Sequence, residues 1–129
     1  MDIGDARYVS ITTFRRDGEG VATPVWIAPL GDGRVGFTTD VASGKAKRIG
    51  NRPDVTLQEC SMRGEVPAGT AEVHGTAVVV TEGPDHEAAV AAIRRKYGIQ
   101  FRLVELGGRL KRLVGRSKEP AAAVVITLR

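Results

Sequence analysis

Residues Val35 to Val55 read V-G-F-T-T-D-V-A-S-G-K-A-K-R-I-G-N-R-P-D-V. The stretch opens as a strand, turns through Asp40 to Gly44, and continues as a short basic helical segment that Pro53 stops. Proline cannot continue a helix, and the residue before it is pushed out of the α region. Between Lys45 and Arg52 stand four cations (Lys45, Lys47, Arg48 and Arg52) and no acid. A Thr38-Thr39 pair at a strand end, Ser43, and the free N–H groups of a helix start suit a phosphate or carboxylate. The same residues also fit a short solvated helix whose wet side is basic. Spacing does not choose between the two.

Working outward, the segments on both sides read mostly as strands. Tyr8 to Phe14 is β-branched and alternating, and Arg15 to Gly18 makes a polar turn. Val21 to Ala28 is a second strand with Val21, Thr23, Val25 and Ile27 on one face; Pro24 has no ladder donor, so this strand lies at an edge or is bulged. Trp26, the only tryptophan, falls on the other face as half-buried packing. Gly31 to Gly36 matches the dinucleotide fingerprint G-x-G-x-x-G letter for letter. That fingerprint needs a strand before it and a helix opening inside it. Here Asp32-Gly33 is a hairpin signal and R-V-G-F-T-T continues as strand, so the Rossmann reading is rejected.

Beyond the basic segment, Asp54 to Glu59 alternates as a fourth strand ending near Cys60, and Ser61 to Gly69 is a loop. Thr70 to Val80 is a long β-rich run in which Gly75 marks a bulge or a close approach. Gly83-Pro84-Asp85 opens a helix that runs to Tyr97 with Ala89, Val90, Ala92 and Ile93 on its apolar side, and Gly98 ends it. Phe101 to Val114 carries a second helical pattern. Ala121 to Leu128 is a nearly continuous apolar strand, central in the sheet. The sum is a single α+β domain, 1–129, built on a six-to-seven-stranded antiparallel barrel rather than on parallel βαβ units.

With 129 residues, 42% hydrophobic and 26% charged, the chain can bury a real core. Sixteen glycines favour turns and hence strands. A net charge of +4 and a pI near 9.6 favour anionic partners. The lone Cys60 excludes an intramolecular disulfide and suits a reducing compartment. The N-terminus has no secretory pattern and no run reaches the roughly 18 apolar residues of a membrane span, so a cytoplasmic location is expected. His74, His86 and Cys60 lack metal-ligand spacing, and no metal is expected. From Arg94 to Lys118 nine cations face Glu105 alone. A nucleic-acid or membrane-surface role for that segment is possible chemistry, but packing on the barrel or on a second subunit is the simpler account.

Taken together, T-T-F-R-R-D-G (Thr12 to Gly18), T-P-V-W (Thr23 to Trp26), T-T-D-V-A-S-G-K-A-K-R-I (Thr38 to Ile49), N-R-P-D-V-T-L from Asn51 and E-V-H-G-T-A from Glu72 resemble one family. It is the split β-barrel flavin-binding superfamily of pyridoxamine 5′-phosphate oxidase, and within it the actinobacterial branch that uses coenzyme F420, a deazaflavin. The resemblance implies a homodimer with its cofactor in a groove between subunits. It implies that Thr38 and Thr39 lie near the ring system, with Pro24, Val25 and Trp26 where the second strand passes it. Ser43 and Lys45 fall on phosphate-holding positions, Lys47 and Arg48 match the deazaflavin K-x-K-R pattern, and Asn51 closes the segment. Flavin oxidases carry cations where this chain has Thr23, Ala28 and Gly44, which argues against FMN. The implied activity is hydride transfer between the deazaflavin and a small organic substrate. The alternatives are an FMN-binding oxidase or reductase, and a non-catalytic cofactor- or haem-binding protein in which His74 or His86 would be the axial candidates. Pocket residues are expected in the Cys60 to Ala68 loop and the Phe101 to Gly115 helix.

Overall fold

A computed structural model describes residues 3–98 and 121–129; the second helical pattern, Phe101 to Val114, lies outside the described residues. In chain order the elements are β1 (Val9–Phe14), β2 (Gly20–Val25), β3 (Ala28–Gly31), β4 (Arg34–Asp40), α1 (Gly44–Asn51), β5 (Asp54–Glu59), β6 (Val73–Val80), α2 (Pro84–Tyr97) and β7 (Ala121–Leu128). A 3-10 turn, Ile3–Asp5, precedes them. The strands form one antiparallel sheet in the order β2-β1-β5-β6-β7-β4-β3.

This order explains the curl. β2 and β3 are consecutive in the chain, joined only by Trp26 and Ile27, yet they occupy opposite edges of the sheet. Seven flat strands would hold their edges roughly 29 Å apart at the usual spacing. The step from Val25 to Ala28 can span only about 11 Å. The sheet must therefore bend until its edges approach, and the result is an antiparallel split β-barrel with two helices, as the resemblance implies. Where the sequence predicts one strand over Val21 to Ala28, the structure breaks it at Trp26–Ile27. Pro24 sits on the β2 edge opposite Ser10, where its missing N–H costs nothing.

Inward-facing side chains fill the curl: Val9, Ile11, Ile27, Val35, Phe37, Val55, Leu57, Ala77, Val124 and Ile126, with Ile49 of α1 closing one side. α2 covers the outer face of β3, β4 and β7 with Ala89, Ala92, Ile93 and Tyr97. β7 is thus buried on both faces, the physical reason its sequence is apolar without alternation. β6 begins at Val73 rather than at Thr70, because the backbone N–H and hydroxyl of Thr70 both turn back to the Pro67 carbonyl. Gly75 is a close approach: a Cβ there would lie 2.5 Å from Ile126 Cγ2 and 3.0 Å from the Thr127 carbonyl. The β3–β4 hairpin turns on Asp32 and Gly33, with φ of 56° and 73°, and strand follows it. Positive φ at both central residues is the type I′ signature, and the dinucleotide reading stays rejected.

Candidate functional site

α1 begins where Ser43, in extended backbone, caps it: the Ser43 hydroxyl accepts the Ala46 N–H at 3.1 Å. Thr39 at the end of β4 donates its own hydroxyl to Ser43 Oγ at 3.2 Å. Strand alternation sends neighbouring Thr38 to the other face of β4, so only Thr39 of the pair joins this cap. Among the described residues, the N–H groups of Gly44 and Lys45 have no acceptor.

Over the same helix start lie two cations. Arg48, one turn on, donates Nε–H to Thr13 Oγ1 of β1 at 2.6 Å. Its guanidinium folds back across Gly44, where a Cβ would come within 2.7 Å of Nη1. Lys45 is half-buried beside it. Burial, and then the neighbouring Arg48, pull the Lys45 pKa below its ordinary value, with Asp40 opposing them. No carboxylate of the described residues pairs with Lys45, Lys47 or Arg48, whereas Arg15, Arg34 and Arg129 each have one (Glu19, Asp85 and Asp54). A cation at the positive end of a helix is unfavourable by itself. Cations gathered there with no direct ion pair, Asp40 acting on Lys45 only from a distance, make a site that an anion would relieve.

The other expected site residues divide. Lys47 is exposed on α1. Asn51 lies about 9 Å along the helix from Lys45; its side chain accepts from Arg16 Nη2 at 3.5 Å and donates to the Lys47 carbonyl. Pro24 shares its sheet face with Ser10, whereas α1 meets the opposite, inward face of β1 through Thr13. Val25 pairs with Val9 and leans on the main core. Trp26 stacks on Tyr97 of α2 at 4.6 Å between ring centroids and 8° between planes. The expected ring-side residues therefore divide: Thr39 joins the α1 cap and Val25 faces the inward core, whereas Pro24, Thr38 and Trp26 lie away from α1. Along β1 the Pro24 partner Ser10 and the Arg48 partner Thr13 are three residues apart, about 10 Å.

The Trp26–Ile27 break is pinned from α2. The Tyr97 hydroxyl accepts the Ile27 N–H at 3.0 Å and donates to the Arg7 carbonyl at 2.7 Å. Lys96 Nζ donates to the carbonyls of Gly4, Ala6 and Ile27 at 2.6–2.7 Å. Burial raises the Tyr97 pKa and lowers that of Lys96. Pro24 packs near Gly64 of the loop that follows β5. In that loop a groove of about 530 Å³ is lined by Glu59, Cys60, Ser61, Glu65, Val66, Pro67 and Thr70. Burial and then Glu59 raise the Cys60 pKa, which favours the protonated thiol. His74 is an exposed β6 residue against Glu72 at 3.2 Å, and no cluster of metal ligands occurs among the described residues.

Sequence reasoning missed Thr13, Lys96 and Tyr97. Thr13 had a signal: it is a polar residue at an inward position of β1, in step with Val9 and Ile11. Lys96 and Tyr97 had none, since their partners are backbone atoms 69 to 92 residues away.

The family model for pyridoxamine 5′-phosphate oxidase matches residues 3–129. The chain belongs to that family. Its members are flavin-binding split-barrel oxidoreductases, and the family's cofactors are flavins or deazaflavins. No curated protein matches the chain. Similar solved structures include an F420 reductase, 18% identical, covering 98% of this chain and 90% of that one with a TM-score of 0.62. HupZ of Group A Streptococcus is 16% identical over 99% of this chain and 85% of its own, with a TM-score of 0.63. An FMN-binding, pyridoxamine 5′-phosphate oxidase-related protein of Nostoc punctiforme PCC 73102 is 12% identical over 95% and 70%, with a TM-score of 0.59. At these identities the likeness speaks for the fold. No helix of the described residues is long and apolar enough to cross a membrane.

Proposed function

We propose that this protein is an F420(H2)-dependent oxidoreductase that moves a hydride between the deazaflavin and a small organic substrate. The observation that carries the reading is the α1 start, where Lys45 and Arg48 share a half-buried position without a carboxylate partner. An anion suits it, and Ser43 with the Gly44 and Lys45 N–H groups fits a phosphate in particular. The choice of F420 over FMN rests on the K-x-K-R pattern and on the positions where flavin oxidases carry cations. Ala28 is wholly buried against Tyr97 and Ile93, so a lysine there would require that cluster to be rebuilt. Thr23 carries no charge, and its hydroxyl is buried without a partner among the described residues.

When bound, the deazaflavin supplies the hydride chemistry. The chain's own residues bind and orient. Lys45 and Arg48 neutralise phosphate charge, Ser43 keeps the helix start in place through Thr39, and the Lys96–Tyr97 pair fixes the break that carries Trp26. Because Trp26 stacks under α2, away from Lys45 and Arg48 at the α1 start, we assign the complete groove to a homodimer. The groove beside Cys60 is the candidate place for the substrate.

The test is a fluorescence-quench titration with coenzyme F420 and, in parallel, FMN. Tight F420 binding with weak FMN binding is expected. Lys45→Ala should weaken F420 binding at low salt, and the deficit should shrink as salt rises. Preference for FMN would move the protein to the flavin members of its family, and binding of neither would leave α1 as a solvated basic helix.

A further inference from the structure

We propose that Gly44 and Thr13 act as a pair of positioning residues that aim the Arg48 guanidinium at the anion held by α1, so that Gly44 is required for what it lacks. The proposal rests on the reading of the α1 start as the cofactor's phosphate site, and it concerns how that site is prepared before the ligand arrives.

Side chains on a helix lean toward its N-terminus, so residue 48 passes over residue 44. Here the passage is tight. A Cβ on residue 44 would stand 2.7 Å from Nη1, 3.5 Å from Cζ and 3.6 Å from Nη2 of Arg48. The guanidinium therefore occupies space that every other residue type would fill. From the opposite side the buried Thr13 hydroxyl takes Nε–H at 2.6 Å. Between these two contacts the guanidinium is held while both terminal nitrogens stay without an acceptor among the described residues. Those N–H groups are the ones that form a fork on a phosphate.

Folding explains the Nε–H bond, which satisfies the buried Thr13 hydroxyl, but it does not explain the glycine or the free terminal nitrogens. Glycine gives up chain entropy even at the first helical position, a smaller cost than in a helix interior, and a guanidinium is misplaced at a helix N-terminus beside a second cation. Both costs make sense if the fixed guanidinium binds an anion without first losing its rotamer freedom, which is preorganisation. Gly50, elsewhere in the same helix, has open space around it and no such contact.

The experiment measures F420 affinity at low salt for the wild type, Gly44→Ala, Thr13→Val, Arg48→Ala, Lys45→Ala and the double variant Gly44→Ala/Arg48→Ala, with a thermal melt of each. Arg48→Ala should lose roughly 10- to 100-fold in affinity, the scale of a charge-assisted contact. Gly44→Ala and Thr13→Val should each lose about 5-fold or more. Gly44→Ala should do so with little change in melting temperature, since the group its methyl displaces is the far end of a flexible side chain. In the Arg48→Ala background Gly44→Ala should cost nothing further, because its effect runs through the guanidinium. Wild-type affinity in Gly44→Ala and Thr13→Val, alongside a weakened Lys45→Ala, would overturn the positioning role and leave the anion site standing. An equal loss from Gly44→Ala with and without Arg48 would overturn it too. A wild type that binds neither F420 nor FMN would remove the reading of the site itself.

Discussion

Replacing Tyr97 with phenylalanine removes one oxygen and leaves the ring. That oxygen accepts the N–H of Ile27, a wholly buried residue, at 3.0 Å and donates to the Arg7 carbonyl at 2.7 Å. Without it the Ile27 N–H is stranded in the interior, at a cost of about 1–3 kcal/mol, and the half-buried Arg7 contact adds up to about 1 kcal/mol. A total of about 1–4 kcal/mol corresponds to a fall in Tm of roughly 3–20 °C for a domain of this size. Differential scanning calorimetry reads this directly. The emission of Trp26 should stay near wild type below the transition, because a phenyl ring can keep the stack. The alkaline side gives a second readout. Burial raises the Tyr97 pKa above its ordinary 10.0, against the opposing effect of the Ile27 hydrogen bond. The folded state thus holds the phenolic proton more tightly than the unfolded one. The contribution of the hydroxyl is complete below pH 10 and is lost as pH rises through the folded-state pKa. The gap between wild type and Tyr97→Phe should therefore be constant at neutral pH and close above pH 10; Lys96, common to both, cancels in the comparison. A Tm within about 2 °C of wild type at pH 7 would refute the assignment of Tyr97 as the pin of the β2–β3 break.

Two glycines should respond in opposite directions in urea unfolding: Gly75→Ala drives a methyl into Ile126 and should cost about 1–3 kcal/mol, whereas Gly50→Ala, in open helical space, should gain up to about 1 kcal/mol. Thr23→Val removes a buried hydroxyl that has no partner among the described residues, so its Tm should equal or exceed that of the wild type; a clear loss would mean that the hydroxyl is bonded in solution. If Lys45 holds a phosphate, F420 affinity should decline as pH rises through its lowered pKa, starting below the ordinary 10.5. Lys45→Arg should carry binding to higher pH in the same titration.

Much of the framework was legible because it rests on local chemistry. Pro53 stops α1. Gly83, Pro84 and Gly98 bound α2 within a residue of their expected places. Asp32-Gly33 declares its hairpin through its need for positive φ. The unalternating Ala121 to Leu128 run announces a strand covered on both faces. The break at Trp26–Ile27 was not legible. Residues 21 to 28 have strand propensity throughout, and what splits them is the demand that one chain reach both edges of a curled sheet.

The candidate site shows the same division. Sequence alone determined that α1 is short, basic and stopped by Pro53, since the stop and the charge count depend on residues within a turn or two. It also brought Thr38 and Thr39 to the end of β4. Only the tertiary structure decided that Thr39 and not Thr38 meets Ser43, that Thr13 receives Arg48 from 35 residues away, and that Trp26 stacks under α2 rather than beside α1. Those outcomes follow from which face each strand residue takes and from how the barrel closes. Both are set by burial of the whole core at once, and no local pattern carries that information.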